Sequence, residues 1–347
     1  MRENHACWEI RPLSNPNISK EEFYRHLVGW AILAPSTHNA QPWRFLLRPV
    51  KDSIEMRLDQ NYVLPISDPT GRQSFISLGA AYENLKMAAN CYGLDCSTAY
   101  LSEGINIQLA GNPQLPPLTD DLLLAMKNRM TNRGKFDFSR KIGLKFLRQI
   151  KDAAFIFGTD LNLIEDTPTR FAIAELQYLA DRYVIARTDF RKELAEYLLP
   201  NDSILGRGMP GNTFGLNDDA AKKIHELLKA DGLFDPNLAA GFAITNRDAI
   251  KSSPLIAVLS APEDSPIWWI KIGQALERIA ILCELEGLSL AINAALIEVG
   301  IFNKMLKMRL GAKKRPMAMM RIGYATKSAP HSPRINAVGV MELNDAS

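Results

Sequence analysis

Apolar residues recur at helical or alternating spacing in separate stretches of the chain, and these stretches predict its secondary structure. Residues 21–34 carry apolar side chains every three to four positions, and the pattern stops at Pro35, whose ring cannot continue a helix. WRFLLRPV and SIEMRLD follow, and their partly alternating, β-rich pattern predicts a hairpin at the edge of a sheet. The chain therefore begins with a helix, a loop and a pair of strands.

A second amphipathic helix is predicted from about Phe75 to Asn90, with Gly93 placed to end it. Farther along, TDDLLLAMKNRM has the spacing of another helix. MAMMRIGYA (317–325) is predicted as the last strand, before a proline-rich tail that runs through Arg334.

The second helix has a counterpart later in the chain. A shift of 194 residues aligns residues 75–94 with 269–288 without gaps, and six of the 20 positions are identical. The identical pairs are Ile76/Ile270, Gly79/Gly273, Ala81/Ala275, Glu83/Glu277, Gly93/Gly287 and Leu94/Leu288. Two generic amphipathic helices ended by glycine are the alternative. We favour duplication, which predicts an α+β fold of two related halves, residues 1–120 and 121–347, packed as a pseudo-two-fold, dimer-like unit.

Composition narrows the classes of function. The chain has 347 residues, 47% of them apolar, and its 41 basic and 38 acidic side chains give a net charge of +3 without a long basic run. A nucleic-acid surface is therefore not expected. No apolar stretch is long enough for a membrane span or an export signal, so we expect a cytoplasmic protein. The four cysteines have neither C-x-x-C nor zinc spacing, which indicates free thiols and no metal site.

The loop between the first helix and the hairpin, residues 34–43, reads APSTHNAQPW. Two prolines stiffen it, and short hydroxyl and amide side chains can hydrogen-bond a ligand with little entropy to lose. Such a loop suits a rim that reads the edge of a flat heteroaromatic ring. A capped turn between a helix and a strand is the alternative interpretation.

A basic segment follows the third predicted helix. Arg129, Thr131 and Arg133 are spaced two apart, so an extended backbone would direct all three to one side. Two guanidinium groups with a hydroxyl between them can form a phosphate clamp. The alternative is a solvated basic end of the helix, where cations are favoured by the dipole.

APSTHNAQPWRF resembles the Pro-Ser-Ser/Thr-x-Asn-x-Gln-Pro-Trp signature of the nitroreductase superfamily, whose members bind FMN at the interface of a homodimer. The match is unbroken over nine residues. The resemblance implies a nitroreductase-like fold with FMN as the cofactor. It also implies that the isoalloxazine and ribityl parts of FMN contact Pro35, Ser36, Thr37 and Asn39. His38 falls on a variable position, where a solvent-facing or capping role is expected.

Arg129, Thr131 and Arg133 are similar to the Arg-x-Ser-x-Arg/Lys element that holds the phosphate and the N1/O2 edge of FMN in this superfamily. The family carries that element near its N-terminus, and duplication accounts for its displacement here. The first half has the loop of residues 34–43, called the Pro-Ser loop below, and the second half has the basic segment. The resemblance therefore implies one FMN site between the halves. This arrangement resembles the fused, two-repeat Acg-like branch over nearly the whole chain.

Two further pieces match less closely. The tail residue Arg334 resembles the C-terminal basic residue that closes on the phosphate, whereas Arg321 is a weaker candidate. A family loop whose backbone faces flavin N5 would fall near Asn293 to Leu296, and this places Asn293 and Ala295 at the cofactor. A family Pro and Glu-Gly are replaced there by Asn293 and by Ala295-Leu296.

The segment 201–217 contains four glycines and Pro210, and it has no helical or alternating pattern. Such segments are frequent lids over reactive cofactors. If it is a lid, Met209 and Phe214 are the side chains able to cover a ring face. A plain surface connection is the equal alternative.

The resemblance implies an FMN oxidoreductase that uses NAD(P)H to reduce nitroaromatic, quinone or similar acceptors by ping-pong hydride transfer. In that case the cofactor carries the chemistry, and no side chain is required as a proton-transfer catalyst. The alternative is a flavin-sequestering protein whose site is closed by the lid. The fused unit could also pair as a homodimer.

Overall fold

The structure is a computed structural model, and it describes residues 3–15, 17–116, 120–229 and 236–344. The helices are α1 (Lys20–Ala31), α2 (Arg72–Cys91), α3 (Asp121–Asn128), α4 (Leu144–Ile156), α5 (Thr167–Ala186), α6 (Thr188–Tyr197), α7 (Asp218–Lys229), α8 (Pro236–Lys251), α9 (Pro266–Leu285), α10 (Ala295–Glu298) and α11 (Gly300–Arg309). The strands are β1 (Trp43–Arg48), β2 (Ser53–Leu58), β3 (Asp95–Leu101), β4 (Gly104–Ala110), β5 (Asp160–Ile164), β6 (Leu198–Leu199), β7 (Met209–Pro210), β8 (Leu255–Ala261), β9 (Ser289–Asn293), β10 (Arg315–Gly323) and β11 (Met341–Leu343). The α+β class is confirmed. Within the described residues, no helix has both the length and the apolarity that a membrane crossing requires.

The first sheet has the strand order β11-β1-β2-β4-β3. The predicted hairpin is β1 and β2, but its position at a sheet edge was wrong, because β11 pairs in parallel with β1 on the outer side. The prediction of the last strand was also wrong, since β11 follows β10. A three-residue strand is too short to give a periodic signal. It is held through Phe45 opposite Met341, with Val340 buried beside it.

The second sheet has the order β5-β8-β10-β9, and it repeats the order β1-β2-β4-β3 of the first. Every neighbouring pair in both four-strand sets is antiparallel. In each set, a 20-residue helix precedes an edge strand, α2 before β3 and α9 before β9. The shared topology supports duplication, while the boundary between the halves stays a prediction.

Helices α2 and α9 cross at the centre of the molecule, and the closest point is a pair of glycines. A Cβ atom on Gly79 would lie 2.1 Å from the carbonyl oxygen of Ile270, and one on Gly273 would lie 2.0 Å from that of Ile76. Both pairs are related by the 194-residue shift. Each half therefore makes the same contact to the other, as expected of a two-fold interface.

Two equivalent glutamates are buried at this crossing. Glu83 accepts hydrogen bonds from Gln274 Nε2 at 3.0 Å and from Arg278 Nε at 2.7 Å. Its counterpart Glu277 is fully buried and lies 3.0 Å from Arg129 Nε. The core between the halves is therefore held by charge pairs as well as by apolar packing.

The halves differ in the connections that leave their first helices. In the first half, α1 is joined to β1 by residues 32–42, whereas in the second half α4 is joined to β5 by residues 157–159 alone. The second half instead inserts α5 to α8 between β5 and β8. The two halves thus supply different walls to the space between them.

We expect Gly273→Ala to lower the free energy of unfolding by about 1–3 kcal/mol, the usual cost of overpacking a close helix contact. The added methyl group would meet the main-chain oxygen of Ile76, which cannot rotate away. Urea denaturation of the variant measures this loss.

Gly300→Ala is the control, because a Cβ atom at Gly300 would meet no atom within 4 Å. Alanine also has the higher helix propensity, so this variant should be neutral or slightly stabilised. Equal losses in the two variants would contradict the role of the glycine crossing.

Candidate functional site

A cavity of about 210 Å³, the main cavity, lies between the halves. Its walls come from residues 35–38, α2, the basic segment, β9, α10, helices α5 and α8, and the segment 201–217. Side chains such as Ile76, Phe190 and Leu276 make part of the wall apolar. An apolar cavity with a few convergent polar groups is the usual form of a small-molecule site.

The loop at residues 34–43 contributes Pro35, Ser36 and Thr37 to this main cavity. Ser36 Oγ accepts a hydrogen bond from the backbone N–H of Gln41 at 2.9 Å, which closes the loop on itself. His38, Asn39 and Gln41 have φ values of 52°, 56° and 51°. Three side-chain-bearing residues in the left-handed region indicate a loop shape that the surrounding structure enforces.

Asn39 is buried between the loop and two distant segments of the chain. It is 5% exposed and does not line the main cavity. Its amide donates to the carbonyl oxygens of Gly208 at 2.8 Å and Pro333 at 2.9 Å, and its Oδ1 accepts from Arg334. Asn39 therefore positions the loop against its neighbours. The motif could not reveal this, because all three partners are more than 160 residues away.

The basic segment runs beside the start of β9, where the backbone N–H of Asn132 donates to the carbonyl oxygen of Leu290 at 2.9 Å. This places Thr131 and Arg133 in the wall of the main cavity. One terminal nitrogen of Arg133 is buried without a hydrogen-bond partner. Burial lowers the pKa of this guanidinium to about 10, so it stays charged at neutral pH. An unpartnered buried cation is costly unless a ligand completes it.

Arg129 and Arg334 already have partners within the protein. Arg129 is paired with Glu277 and donates to the carbonyl oxygen of Leu33 at 2.8 Å. Arg334 donates to the carbonyl oxygens of Ile32, Leu33 and Ala34 at 2.9 to 3.1 Å. These carbonyls end the first helix, where the dipole favours cations. Both side chains thus fix the end of α1.

A smaller cavity of about 30 Å³ adjoins the main one, with which it shares Pro35, Ser36, Thr131 and Arg133. Its wall also includes Asn39, Arg129 and Arg334. Burial raises the pKa of Glu277 to about 7, and Arg129 opposes that rise. Arg129, Arg133 and Arg334 at this cavity carry three positive charges, whereas Glu277 carries at most one negative charge. The excess of positive charge favours the binding of an anion.

Asn293 and Ala295 line the main cavity, whereas Leu296 is fully buried in the core. Asn293 ends β9, and its Oδ1 is buried without a donor. All ten predicted cofactor residues therefore lie at one of the two adjoining cavities. Their contact with a cofactor stays a prediction.

His38 and Arg321, to which the sequence assigned minor roles, also lie at the site. Both line the main cavity. The ring of His38 lies edge-on to Phe190 and Tyr197, and burial, with a smaller effect of Arg133, lowers its pKa to about 4. Arg321 is 3% exposed and donates to the carbonyl oxygen of Gly134 at 2.7 Å, so it supports the basic segment. A position that varies in a motif can still face the cavity.

One wall of the main cavity is polar and was not predicted from the sequence; it is made by Gln177, Asp181, Asn246 and Glu298. Gln177 Nε2 donates to Asp181 at 2.8 Å, and Asn246 Nδ2 donates to the same carboxyl at 3.0 Å. One signal was available: Gln177 and Asp181 are four residues apart on the buried face of an amphipathic helix. The described residues bring no three His, Cys, Asp or Glu side chains together in a metal-binding arrangement.

Residues 201–217 lie against the loop at 34–43. Gln41 Nε2 donates to the carbonyl oxygen of Gly206 at 2.7 Å, and Arg207 Nε donates to that of Ala40 at 2.9 Å. Met209 and Phe214 line the main cavity, as expected of a cover. Arg133 contacts both, with a terminal nitrogen 3.3 Å from the Met209 sulfur and its guanidinium 4.5 Å from the Phe214 ring centre.

Two proteins of known sequence are similar to this chain along most of its length. No protein-family model matches. An uncharacterized protein of Mycobacterium tuberculosis, Rv3127, is 25% identical over 87% of this chain and 86% of its own length. A second protein of that organism, Rv3131, provisionally named an NAD(P)H nitroreductase, is 22% identical over 94% of this chain and 93% of its own length.

Solved structures that match part of the chain include the FMN-dependent nitroreductase NfnB of Mycobacterium smegmatis in complex with NADPH. It is 15% identical, with a TM-score of 0.45, over 66% of this chain and all of that one. The NADPH:FMN oxidoreductase of Vibrio harveyi complexed with NAD+ is 11% identical, with a TM-score of 0.40, over 66% of this chain and 79% of that one. The similarity to Rv3131 extends along most of the chain and supports the predicted resemblance to the nitroreductase superfamily.

Proposed function

We propose that the chain binds FMN between its halves and acts as an NAD(P)H-dependent oxidoreductase. The observation that carries this proposal is the buried, unpartnered nitrogen of Arg133 in the wall of a cavity between the halves. The provisional name of Rv3131 supports the use of NAD(P)H and a nitroreductase type of reaction. Nitroaromatics, quinones or similar flat acceptors are the proposed substrates.

The residues present fit the two chemically different parts of FMN. The phosphate needs a cationic site, which the adjoining cavity supplies through Arg133 and Thr131, with Arg129 and Arg334 adding positive field. The ring needs apolar walls with a few polar groups at its edge, and Ser36, Thr37 and Asn293 are placed to supply those groups. Pro35 and Ala295 complete the proposed contacts.

When bound, FMN supplies the exchange of electrons between NAD(P)H and the acceptor in alternating half-reactions. The chain contributes position, exclusion of water and charge. Arg133 is a cation with no carboxylate partner among the described residues, so it favours negative charge on a group beside it. His38 has its pKa lowered by burial and is neutral at pH 7, so it adds no second cation.

A flavin-sequestering function is the second candidate. The segment 201–217 favours it, because Gly206, Arg207 and Gly208 are hydrogen-bonded to residues 39–41. A cover held by several hydrogen bonds would slow the entry of a nicotinamide. Both candidates require the same FMN site and differ in what can reach it.

We expect the purified protein to hold one FMN per chain, because the Pro-Ser loop and the basic segment each occur once. Arg133→Ala should weaken FMN binding by about 1.5–3 kcal/mol, or roughly 10- to 150-fold, the cost of a lost charged hydrogen-bond partner. Flavin fluorescence titration of the apoprotein measures the change.

Arg140→Ala is the matched control, because Arg140 is exposed and stacks on Tyr324 away from both cavities. Its FMN affinity should equal that of the parent protein. A ratio near two FMN per chain, or equal behaviour of the two variants, would remove the argument for a single composite site.

Arg129→Ala should instead lower the free energy of unfolding. It would leave Glu277 buried without its cation, which costs about 3–5 kcal/mol in comparable cases. The double variant Arg129→Met with Glu277→Leu should recover most of that loss, because it removes both charges. Urea unfolding of the apoproteins measures both values. If Arg129→Ala is as stable as the parent protein, the ion pair of Arg129 and Glu277 does not hold the halves together.

For the enzyme, anaerobic NADPH should bleach the flavin of the intact protein, and Arg207→Ala should change that rate by less than about threefold. Arg207 is chosen because its side chain bonds Ala40 and stacks on Tyr62, which fastens the cover. Arg187→Ala is the control, since Arg187 is exposed and pairs with Asp189. Stopped-flow absorbance of the flavin band gives the rates.

If NADPH does not reduce the flavin of the intact protein but does reduce that of the Arg207→Ala variant, the flavin-sequestering function replaces the reductase. Shortening residues 206–215 should then accelerate reduction further, because it removes more of the cover. Equal bleaching of all variants supports the enzyme.

A further inference from the structure

The polar wall formed by Gln177, Asp181, Asn246 and Glu298 is not accounted for by binding FMN. Gln177 and Asp181 belong to α5, Asn246 to α8 and Glu298 to α10. All four line the main cavity, yet none belongs to the Pro-Ser loop or to the basic segment. The wall is therefore a separate feature of the same space.

Two acceptor atoms in this wall have no donor. Gln177 is 1% exposed, and its Oε1 is buried and unpartnered, while its Nε2 is committed to Asp181. Glu298 Oε1 is likewise buried without a partner. Buried polar atoms are nearly always hydrogen-bonded in folded proteins, so two such atoms on one cavity indicate a ligand with donors.

The flavin ring is a poor match to these atoms. Its polar edge offers acceptors at N1, O2, O4 and N5, and it has a single N–H, at N3. One N–H cannot satisfy the acceptors of Gln177 and Glu298 together with the remaining lone pairs of Asp181. The hydroxyl donors of FMN are on its ribityl chain, which the proposed function places at the loop of residues 34–43 and not at this wall. A second molecule with N–H donors would therefore satisfy these acceptors.

On the basis of the proposed function, we propose that this wall selects acceptor substrates that are flat and carry a cationic N–H donor group, such as an amidinium or ammonium on an aromatic ring. The cation would lie against Glu298 and Asp181, and Gln177 Oε1 would accept one of its hydrogens. Phe190, Phe242 and Val184, which also line the cavity, suit the aromatic part.

The electrostatics of the wall agree with a cationic ligand. Burial raises the pKa of Glu298 to about 8, with the carboxyls of Asp68, Glu193 and Asp181 adding to the rise and Arg72 opposing it. Burial also raises the pKa of Asp181 to about 7, against the hydrogen bonds from Asn246 and Gln177. Both carboxyls ionise as the pH rises through 7 to 8, so a permanent cation should bind more tightly at pH 8.5 than at pH 6.

The test uses the FMN-loaded protein and three probes of nearly equal shape: benzamidine, benzamide and benzoate. Binding is followed by the shift of the flavin absorbance and, independently, by the rise in Tm. At pH 8.5 benzamidine should bind about tenfold or more tightly than benzamide, and benzoate should bind most weakly. The preference should shrink at pH 6, where the carboxyls are protonated.

Glu298→Gln should weaken the binding of benzamidine about tenfold or more. The affinity for benzamide and the retention of FMN should not change. Glutamine has nearly the shape of glutamate but carries no charge, so the fold should persist. Glu175→Gln on the same helix as Asp181 is the control, because Glu175 is exposed and pairs with Lys251. It should behave as the parent protein.

Equal affinity for the three probes, or equal effects of Glu298→Gln and Glu175→Gln, would overturn the proposal. Loss of FMN from Glu298→Gln with unchanged benzamidine affinity would also overturn it, because the wall would then belong to the flavin. Failure of the proposed function appears separately, as absence of FMN or of bleaching by NADPH. The thermal measurement reports benzamidine binding in either case.

Discussion

The distance between the two halves is set by a pair of glycines in contact with main-chain oxygens. Where α2 crosses α9, Gly79 lies against Ile270 and Gly273 lies against Ile76, and neither contact leaves room for a Cβ atom. The separation of two packed helices depends on the side chains at their crossing. Because both cavities lie between elements of the two halves, the position of every wall follows from this contact.

The buried charge at the same crossing connects the core to the site. Glu277 lies on α9 beside Gly273, and its partner Arg129 begins the basic segment. Arg129 also bonds the end of α1, so a single guanidinium joins the central helix, the basic segment and the start of the Pro-Ser loop. Such a pair adds little net stability, but it fixes which groups meet. Arg133, in contrast, has no carboxylate partner among the described residues, and one of its terminal nitrogens is buried at the cavity without a hydrogen-bond partner.

The main cavity has one region lined by basic side chains and another lined by acidic side chains. One part carries guanidinium groups and adjoins the smaller cavity, and another carries the carboxyls of Asp181 and Glu298. The cation that acts on the Glu298 carboxyl is Arg72, whereas Arg133 acts on His38. A cavity with two such regions can orient a bound pair of molecules, an anion-bearing cofactor in one region and a donor-bearing partner in the other. Met209 and Phe214, from the segment 201–217, line the same cavity.

The sequence by itself determined the local elements and identified part of the lining of the site. The stop at Pro35, the hairpin β1–β2 and the helix ended by Gly93 depend on neighbours within a few residues, so periodicity and breakers predicted them. The 194-residue repeat was also visible, because duplication leaves matching residues in the chain. The family resemblance of four short segments of the chain predicted ten cofactor residues, and all ten lie at the two adjoining cavities.

Only the tertiary structure decided the roles of those residues. Arg129, Arg334 and Asn39 have the same side chains in any reading of the sequence, but their partners are distant carbonyls and a carboxyl that no local pattern specifies. The same holds for β11, whose three residues become a strand only because β1 offers an unpaired edge. The polar wall of Asp181 and Glu298 arises from two helices that the chain brings together across more than 100 residues. Long-range packing sets such contacts, and a single sequence read by local rules does not contain their distances.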